Sequence, residues 1–215
     1  MRVALFGGTF DPPHRGHLAV AQAAADEFSL DTILFAPAAN QPLKPQGTKA
    51  NFTDRLAMVE LLCATANTGS GARLEPSTLD APREDGQPNY TIDTLRHLRT
   101  ELHKRDPTSE TELFVITGAD SFLDLRRWRE PEALLQAAEW IVVSRPGFSL
   151  TGLEPLALTS QQRTRVHLLE GVHEPASASE VRDRLEAGLD ASSLLTPEVL
   201  AYIQEHRLYH STKMS

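Results

Sequence analysis

Length, composition and charge first limit what this chain can be. It has 215 residues, 40% of them hydrophobic and 23% charged, which is typical of folded globular proteins and excludes an intrinsically disordered one. A net charge of −8 argues against general nucleic-acid binding, because no basic surface would attract phosphates. The N-terminal run "MRVALFGG" is too short to predict a signal peptide or a membrane span. With one cysteine, Cys63, in an apolar helical run, we expect a cytoplasmic protein.

Strands and helices are predicted to alternate along the first 150 residues. Apolar runs that end at Gly or Pro indicate buried strands, with a weaker one third in order: 2–7, 31–37, 73–77, 111–118 and 139–145. Helical composition predicts the intervening helices, the second with Thr53 as a candidate N-cap and the last with Pro131 in its first turn: 17–28, 53–66, 90–105 and 130–138. This alternation predicts an α/β fold, Rossmann-like, with a doubly wound parallel sheet.

The pattern loosens after about residue 150. A short strand over 165–171 and two helices, 177–188 and 196–209, are predicted there. Thr196 is a candidate N-cap followed by Pro197, which is a clear signal for the start of a helix. We therefore expect a single domain over 1–215, with a core over 1–150 and a small C-terminal helical appendage over 151–215.

The stretch "GGTFDPPHRGH" connects the first predicted strand to the first predicted helix. Ligands of doubly wound sheets bind beyond the carboxyl ends of the strands, where this turn lies. Gly7 and Gly8 leave backbone N–H groups open to an anion, and the helix adds its positive N-terminal end. His14 and His17 share one face of the first helical turn, and Gly16 between them would let a ligand lie against the backbone.

Four interpretations of this turn compete. The glycines match neither the dinucleotide-binding pattern G-x-G-x-x-G nor the P-loop pattern. A metal site at His14 and His17 lacks an evident third ligand, and histidine is electrostatically poor as a helix N-cap. The interpretation that we favour is a phosphate site, in which both imidazoles donate hydrogen bonds to an anion.

The same stretch resembles the T-x-x-P-x-H-x-G-H signature of a nucleotidyltransferase superfamily. Four later segments, "KPQGTKANFTDR", "NYTIDTL", "GADSFLDLRRW" and "SASEVR", extend the resemblance along the chain to the bacterial nicotinate-nucleotide adenylyltransferases. The chain departs from that family's pattern at Leu43, Ala176 and Ser179. The resemblance implies adenylyl transfer from ATP to nicotinate mononucleotide, which gives deamido-NAD and pyrophosphate, with Mg²⁺ entering on ATP and no metal held by the protein.

The resemblance also implies a role for particular residues. Catalysis would fall to His14, His17, Lys44 and Arg55. ATP would be bound by Gly7, Gly8, Thr9, Phe10, Gly16, His17, Gly118, Asp120, Ser177, Ser179 and Arg182. Nicotinate mononucleotide would be bound by Thr9, Lys44, Tyr90, Thr91, Trp128 and Arg145, with the pyridine ring stacked on Trp128.

Several of these residues also have structural interpretations. Lys44 and Arg55 could be solvated cations, Thr91 an ordinary N-cap, and Ser177 with Glu180 a capping box. Alternatives for the whole chain are the same chemistry on nicotinamide mononucleotide or phosphopantetheine, a regulatory protein that binds ATP without turnover, and a redox Rossmann protein. The sequence is compatible with a homo-oligomer.

Overall fold

One parallel sheet organises the described part of the chain. The computed structural model describes residues 1–39, 47–67, 71–144, 150–172 and 176–210. Within these ranges the strands are β1 (Arg2–Gly8), β2 (Thr32–Pro37), β3 (Arg73–Pro76), β4 (Glu112–Gly118), β5 (Glu139–Val143) and β6 (Val166–Leu169). Their order is β3-β2-β1-β4-β5-β6, and every neighbouring pair is parallel. The predicted doubly wound α/β fold is confirmed.

The helices follow the predicted order, with short additions. They are α1 (Arg15–Phe28), α2 (Phe52–Ala66), α3 (Thr91–Arg105), α4 (Ala119–Leu123), α5 (Pro131–Ala137), α6 (Ser160–Arg163), α7 (Ala178–Glu186) and α8 (Pro197–Glu205). Two 3₁₀ segments lie at 125–127 and 150–156. These segments, α4 and α6 were not predicted, because one or two turns are too short to show a helical period. No helix in the described ranges is long and apolar enough to cross a membrane.

Helix starts show where local sequence signals succeeded and failed. Pro131 and Pro197 each occupy the first turn of their helix, and the Thr196 hydroxyl accepts from the Val199 N–H at 3.4 Å, as predicted. The prediction of Thr53 as the cap of α2 is wrong. That helix begins one residue earlier, and the Asn51 side chain caps it by accepting from the Asp54 N–H at 2.8 Å.

Helices cover both faces of the sheet, which is why its strands are apolar on both sides. One layer packs α1, α2, α7 and α8 against strand residues such as Ile33 and Phe35, both fully buried. The other layer packs α3, α5 and the 3₁₀ segment 150–156 against residues such as Val3 and Leu5. The C-terminal helices therefore share a core with the first two helices, and β6 forms an edge of the common sheet.

The strand order changes direction between β1 and β4. The chain builds β2 and β3 outward on one side of β1, then crosses over to build β4, β5 and β6 on the other. Adjacent crossovers leave such a point on opposite faces of the sheet, so a crevice opens beyond the strand ends. Here those ends are Gly8 and Gly118, which places the β1–α1 turn and the segment after β4 side by side.

Candidate active site

The turn from β1 to α1 is shaped by packing within the protein. Phe10 has a positive φ of 48° and is buried, with its ring 5.6 Å from that of Phe6 and 4.8 Å from that of His17. A Cβ on Gly8 would come within 2.9 Å of the Phe10 ring, so glycine is needed there for close packing. A Cβ on Gly7 would meet no atom within 4 Å. Gly7 therefore faces open space, as a residue lining a ligand site would.

His14 and His17 form a stacked pair at the start of α1. Their ring centroids are 3.8 Å apart, and the backbone N–H of His14 donates to Nδ1 of His17 at 3.2 Å. Because Nδ1 of His17 is an acceptor, the proton of the neutral ring lies on Nε2, which donates to no other residue in the described part of the chain. Nδ1 of His14 is buried and has no hydrogen-bond partner among the described residues.

Burial keeps both imidazoles neutral at pH 7 in this structure. Desolvation lowers the pKa of His14 from 6.5 to about 4. Desolvation also lowers the pKa of His17 well below its usual value, and the neighbouring His14 charge lowers it further. The first turn of α1 contains no acidic residue, so its positive end is left for an external anion. The pair thus offers neutral N–H donors at a helix N-terminus.

The C-terminal segment covers the start of α1. Arg15 donates its backbone N–H to the carbonyl of Leu194 at 2.9 Å and its Nε to the carbonyl of Leu195 at 3.0 Å. A Cβ on Gly16 would lie 3.0 Å from both the Ala176 carbonyl and the His14 ring. The expectation that Gly16 leaves room for a ligand is therefore wrong, because protein atoms fill that space.

Arg55, predicted to be catalytic, lies beneath the turn. Its side chain is 1% exposed, and Nη1 donates to the carbonyl of Thr9 at 2.6 Å. Burial lowers the pKa of the guanidinium, and the nearby Asp11 and Tyr209 oppose that change. A side chain so enclosed supports the shape of the turn and does not face an open cleft.

Arg182 and the start of α7 reach the other side of the turn. Arg182 donates to the carbonyl of Asp11 at 2.7 Å and to the hydroxyl of Ser179 at 3.2 Å. Ser177 caps α7 by accepting from the Glu180 N–H at 3.2 Å. The reciprocal half of the predicted capping box is absent, because the Glu180 carboxylate binds Arg184 at 2.8 Å instead.

A cavity of about 280 Å³ opens beside the turn, at the carboxyl ends of β1 and β4. Its volume is near the lower end of the range for small-molecule sites, about 300–1,000 Å³. The lining includes residues predicted from the sequence, namely Gly7, Gly8, Tyr90, Thr91 and Trp128. It also includes Asp80, Asn89, Thr117, Ser121, Asp124, Arg127 and Arg129, which were not predicted to form a site.

Aromatic contacts fix the wall that carries Trp128. Its ring meets the buried Trp140 edge-on, with centroids 5.9 Å apart and planes at 67°. Arg129 lies over the Tyr90 ring at 4.6 Å, which ties the segment after α4 to the start of α3. Thr91 is the first residue of α3, and Tyr90 takes the N-cap position without a side-chain capping bond. Thr91 is thus at a helix N-terminus, as predicted.

Asp80 is the most distinctive lining residue that the sequence did not reveal. Its carboxylate accepts from the Thr94 hydroxyl at 2.7 Å. Burial raises the pKa of Asp80, and the hydrogen bond from Thr94 opposes the change. Asp80 and Asn89 lie in a stretch that reads only as a polar loop, so no local pattern distinguishes them.

The remaining predicted site residues are placed as follows. Gly118 ends β4 with open space beside it, and Asp120 is exposed in the first turn of α4. Lys44 and Arg145 lie outside the described residues. Within the described ranges, no group of three or more His, Cys, Asp or Glu side chains is arranged to hold a metal ion.

Comparison with known proteins identifies the class and then the family. The cytidylyltransferase-like family model matches residues 5–184, so fold, histidine turn and family model together define a nucleotidyltransferase. The chain is 39% identical to the probable nicotinate-nucleotide adenylyltransferase of Solibacter usitatus, covering 98% of this chain and 100% of the relative. It is 37% identical to that of Citrifermentans bemidjiense, covering 97% and 98%. The chain belongs to the nicotinate-nucleotide adenylyltransferase family, which confirms the resemblance seen in the sequence.

A solved structure supports the fold independently. The nicotinic acid mononucleotide adenylyltransferase of Plasmodium falciparum, complexed with NaAD, superimposes with a TM-score of 0.69 at 19% identity. The match covers 97% of each chain. At this identity the likeness is evidence for the fold, while the family assignment depends on the closer bacterial sequences.

Proposed function

We propose that this chain transfers the adenylyl group of ATP to the phosphate of nicotinate mononucleotide, giving deamido-NAD and pyrophosphate. The observation that carries the proposal is the neutral His14–His17 pair at the start of α1, which follows directly on the turn whose Gly7 and Gly8 line a cavity together with Thr91 and Trp128. The pair suits a polyphosphate, and the cavity suits an aromatic ring with an anionic substituent. The family assignment supports the same reaction.

The reaction needs alignment more than acid–base catalysis. The second pKa of a phosphate monoester is about 6, so the acceptor phosphate is largely ionised at neutral pH and needs no general base. One of its oxygens forms a bond to the α-phosphorus of ATP. The bond from that phosphorus to the bridging oxygen breaks, and pyrophosphate leaves with the electron pair. Holding the two oxygens in line is the main task of the protein.

His17 is proposed to stabilise the charge that develops on the phosphates. Its Nε2–H is the free donor left by the hydrogen bond at Nδ1, and His14 is stacked against it as the second donor. A bound phosphate raises the pKa of a neighbouring imidazole, so both rings become easier to protonate in the ATP complex. We propose that Arg55 acts indirectly, by fixing the Thr9 carbonyl and thereby the turn.

The other predicted ATP contacts surround the same turn. Arg182, with Ser177 and Ser179 at the start of α7, is proposed to face the β- and γ-phosphates. Gly118 and Asp120, after β4, are proposed to lie toward the nucleoside. Mg²⁺ is proposed to arrive as Mg-ATP, held by the phosphates and water, which is its usual mode in phosphoryl-transfer enzymes.

Acceptor binding is proposed for the cavity. Nicotinate would stack on Trp128, with its carboxylate at the N-terminus of α3 next to Thr91. A helix N-terminus favours a carboxylate over an uncharged amide, so we propose nicotinate mononucleotide over nicotinamide mononucleotide. Both remaining cations stay predictions implied by the family resemblance: Arg145 for the acceptor phosphate, and Lys44 for the charge that develops in the transition state.

Pyrophosphate release tests the reaction and the acceptor together. Purified protein with Mg-ATP would be offered nicotinate mononucleotide, nicotinamide mononucleotide and phosphopantetheine in separate reactions, and the first should be strongly preferred. Release with a different acceptor would overturn the substrate. No release from folded, ATP-binding protein would favour the regulatory alternative.

The role of His17 is tested by His17→Ala, which should lower kcat about 10²–10³-fold, as loss of a transition-state donor does. Circular dichroism would confirm that the variant is folded. Turnover near that of the wild type would refute the role.

The cytoplasmic location and any homo-oligomer stay predictions. The Cys63 thiol is buried, and its pKa is raised to about 12, so it is compatible with a reducing compartment.

A further inference from the structure

Asp11 is a buried carboxylate at the centre of the β1–α1 turn, and the reaction proposed above gives it no chemical part. It is 5% exposed, and within the described residues three donors reach its carboxylate. The backbone N–H groups of Lys49 and Ala50 donate at 2.7 and 3.0 Å. The third donor is the hydroxyl of Tyr209, at 2.7 Å. A buried carboxylate needs such partners, because desolvation is costly when a charge is not hydrogen-bonded.

These donors come from distant parts of the chain. Lys49 and Ala50 directly precede α2, and Tyr209 follows α8, 198 residues away from Asp11. Arg182 adds a bond to the Asp11 carbonyl from α7. One residue of the turn therefore hydrogen-bonds to three segments, in addition to the contacts that these segments make with one another, such as that between Tyr202 and Asp54.

A path of stiff residues leads from Asp11 to the histidines. Pro12 and Pro13 separate Asp11 from His14, and each proline ring fixes its own φ. A shift of the Asp11 carboxylate is therefore passed along the backbone and is poorly absorbed before His14. Because the backbone N–H of His14 donates to Nδ1 of His17, the orientation of the His17 ring depends on the position of the His14 backbone.

The segment after α8 is shaped to deliver the Tyr209 hydroxyl. Arg207 and Tyr209 both have positive φ angles, 52° and 61°, so the chain turns back toward the core after Glu205. Tyr209 is 9% exposed and packs with the α1–α2 layer. The Tyr209 ring thus lies in an apolar layer, while its hydroxyl points at the buried carboxylate of Asp11.

We propose that Tyr209 is a positioning residue for adenylyl transfer: through Asp11 it sets the position of the His14–His17 pair. The proposal depends on the function proposed above. The Tyr209 hydroxyl touches no reacting atom. It removes the freedom of the turn that would otherwise let the imidazoles move out of line with the phosphates.

Tyr209→Phe tests the proposal, and Tyr202→Phe is the matched control. Tyr202 lies on α8 and also donates its hydroxyl to an aspartate, Asp54 on α2, at 3.0 Å. Both substitutions remove one Tyr–Asp hydrogen bond of the C-terminal segment, but only the bond of Tyr209 is made to a residue of the β1–α1 turn. Steady-state kinetics with Mg-ATP, the Kd for Mg-ATP by calorimetry and the Tm would be measured for both.

We expect Tyr209→Phe to lower kcat/KM for Mg-ATP roughly 10-fold or more, since small misplacements of catalytic groups have effects of this size. Amide exchange at Lys49 and Ala50 should also become faster, because their acceptor is no longer held. Tyr202→Phe should change neither. Unchanged kinetics in Tyr209→Phe, even with a lower Tm or faster exchange, would overturn the proposal, as would equal losses in both variants.

A second variant separates this proposal from a folding defect and from failure of the proposed reaction. In Asp11→Ala with Tyr209→Phe, the loss should be no greater than in the more affected single variant, because Asp11→Ala already removes the acceptor of the Tyr209 hydroxyl. Additive losses would contradict action through Asp11. If the wild type releases no pyrophosphate, the proposed function fails, and the Kd for Mg-ATP then serves as the test: a rise specific to Tyr209→Phe supports the positioning role and no rise overturns it.

Discussion

Replacing His14 by asparagine should flatten the dependence of stability on pH. Asparagine is a good helix N-cap and does not titrate, so His14→Asn removes the buried imidazole while keeping the start of α1. The pKa of His14 is about 4 in the folded protein and 6.5 in the unfolded chain. Below pH 6.5 the unfolded chain therefore binds more protons, and the wild type loses stability as pH falls from 6.5 toward 4.

The size of the effect follows from the same two values. Between pH 7.5 and pH 5, about 1.5 pH units lie below the unfolded pKa, and each unit corresponds to about 1.36 kcal/mol. The wild type should thus lose about 2 kcal/mol more than His14→Asn across this interval.

Urea unfolding at pH 7.5, 6.5 and 5 would measure the free energy of unfolding of both proteins. Carboxylates that titrate in this range are common to both, so they cancel in the difference between the two curves. Parallel curves would refute the reasoning, because they would mean that His14 is not held neutral by burial. A larger loss of stability in His14→Asn than in the wild type would mean that His14 binds a proton more tightly in the folded protein than in the unfolded chain.

Two further predictions concern the cavity and the turn. Nicotinate mononucleotide should quench the fluorescence of Trp128, which lines the cavity, but not that of the buried Trp140. Trp128→Phe should raise KM for this acceptor about 10-fold and leave KM for ATP unchanged. Quenching that survives the substitution would contradict stacking on Trp128. Gly16→Ala should destabilise the fold by about 1–3 kcal/mol in urea, because its Cβ meets the Ala176 carbonyl at 3.0 Å. Gly71→Ala, with no atom within 4 Å, is the control, and equal effects would be inconsistent with the clash.

Periodicity and strand ends were enough to predict the fold and the region of the site. Continuous apolar strands such as β1 and β4 indicate a sheet covered on both faces, and the rule for parallel sheets then places ligands beyond their carboxyl ends. That rule pointed to Gly7 at the end of β1, whereas Thr91 and Trp128, which line the same cavity, were assigned by the family resemblance. The identity of the reaction came from the family resemblance instead.

Residues whose role depends on tertiary contact could not be predicted. Arg55 was predicted to be catalytic, with a solvated surface cation as the structural alternative, yet α2 buries its guanidinium under the turn. Glu180 has the spacing of a capping box, but Arg184 one turn later competes for its carboxylate. Gly16 reads as room for a ligand, whereas the segment that fills the room is about 160 residues away in sequence. In each case a residue from elsewhere in the fold or the helix occupies the space or takes the contact that the local sequence pattern predicted.

The bond between Tyr209 and Asp11 also sets the order of events during synthesis. Asp11 leaves the ribosome 198 residues before its partner. At typical rates of about 5–20 residues per second, the turn waits on the order of 10–40 seconds for the donor that completes it. The β1–α1 turn therefore reaches its final form only after Tyr209 has been made, and a nascent chain can assemble most of its sheet before its histidines are held in place.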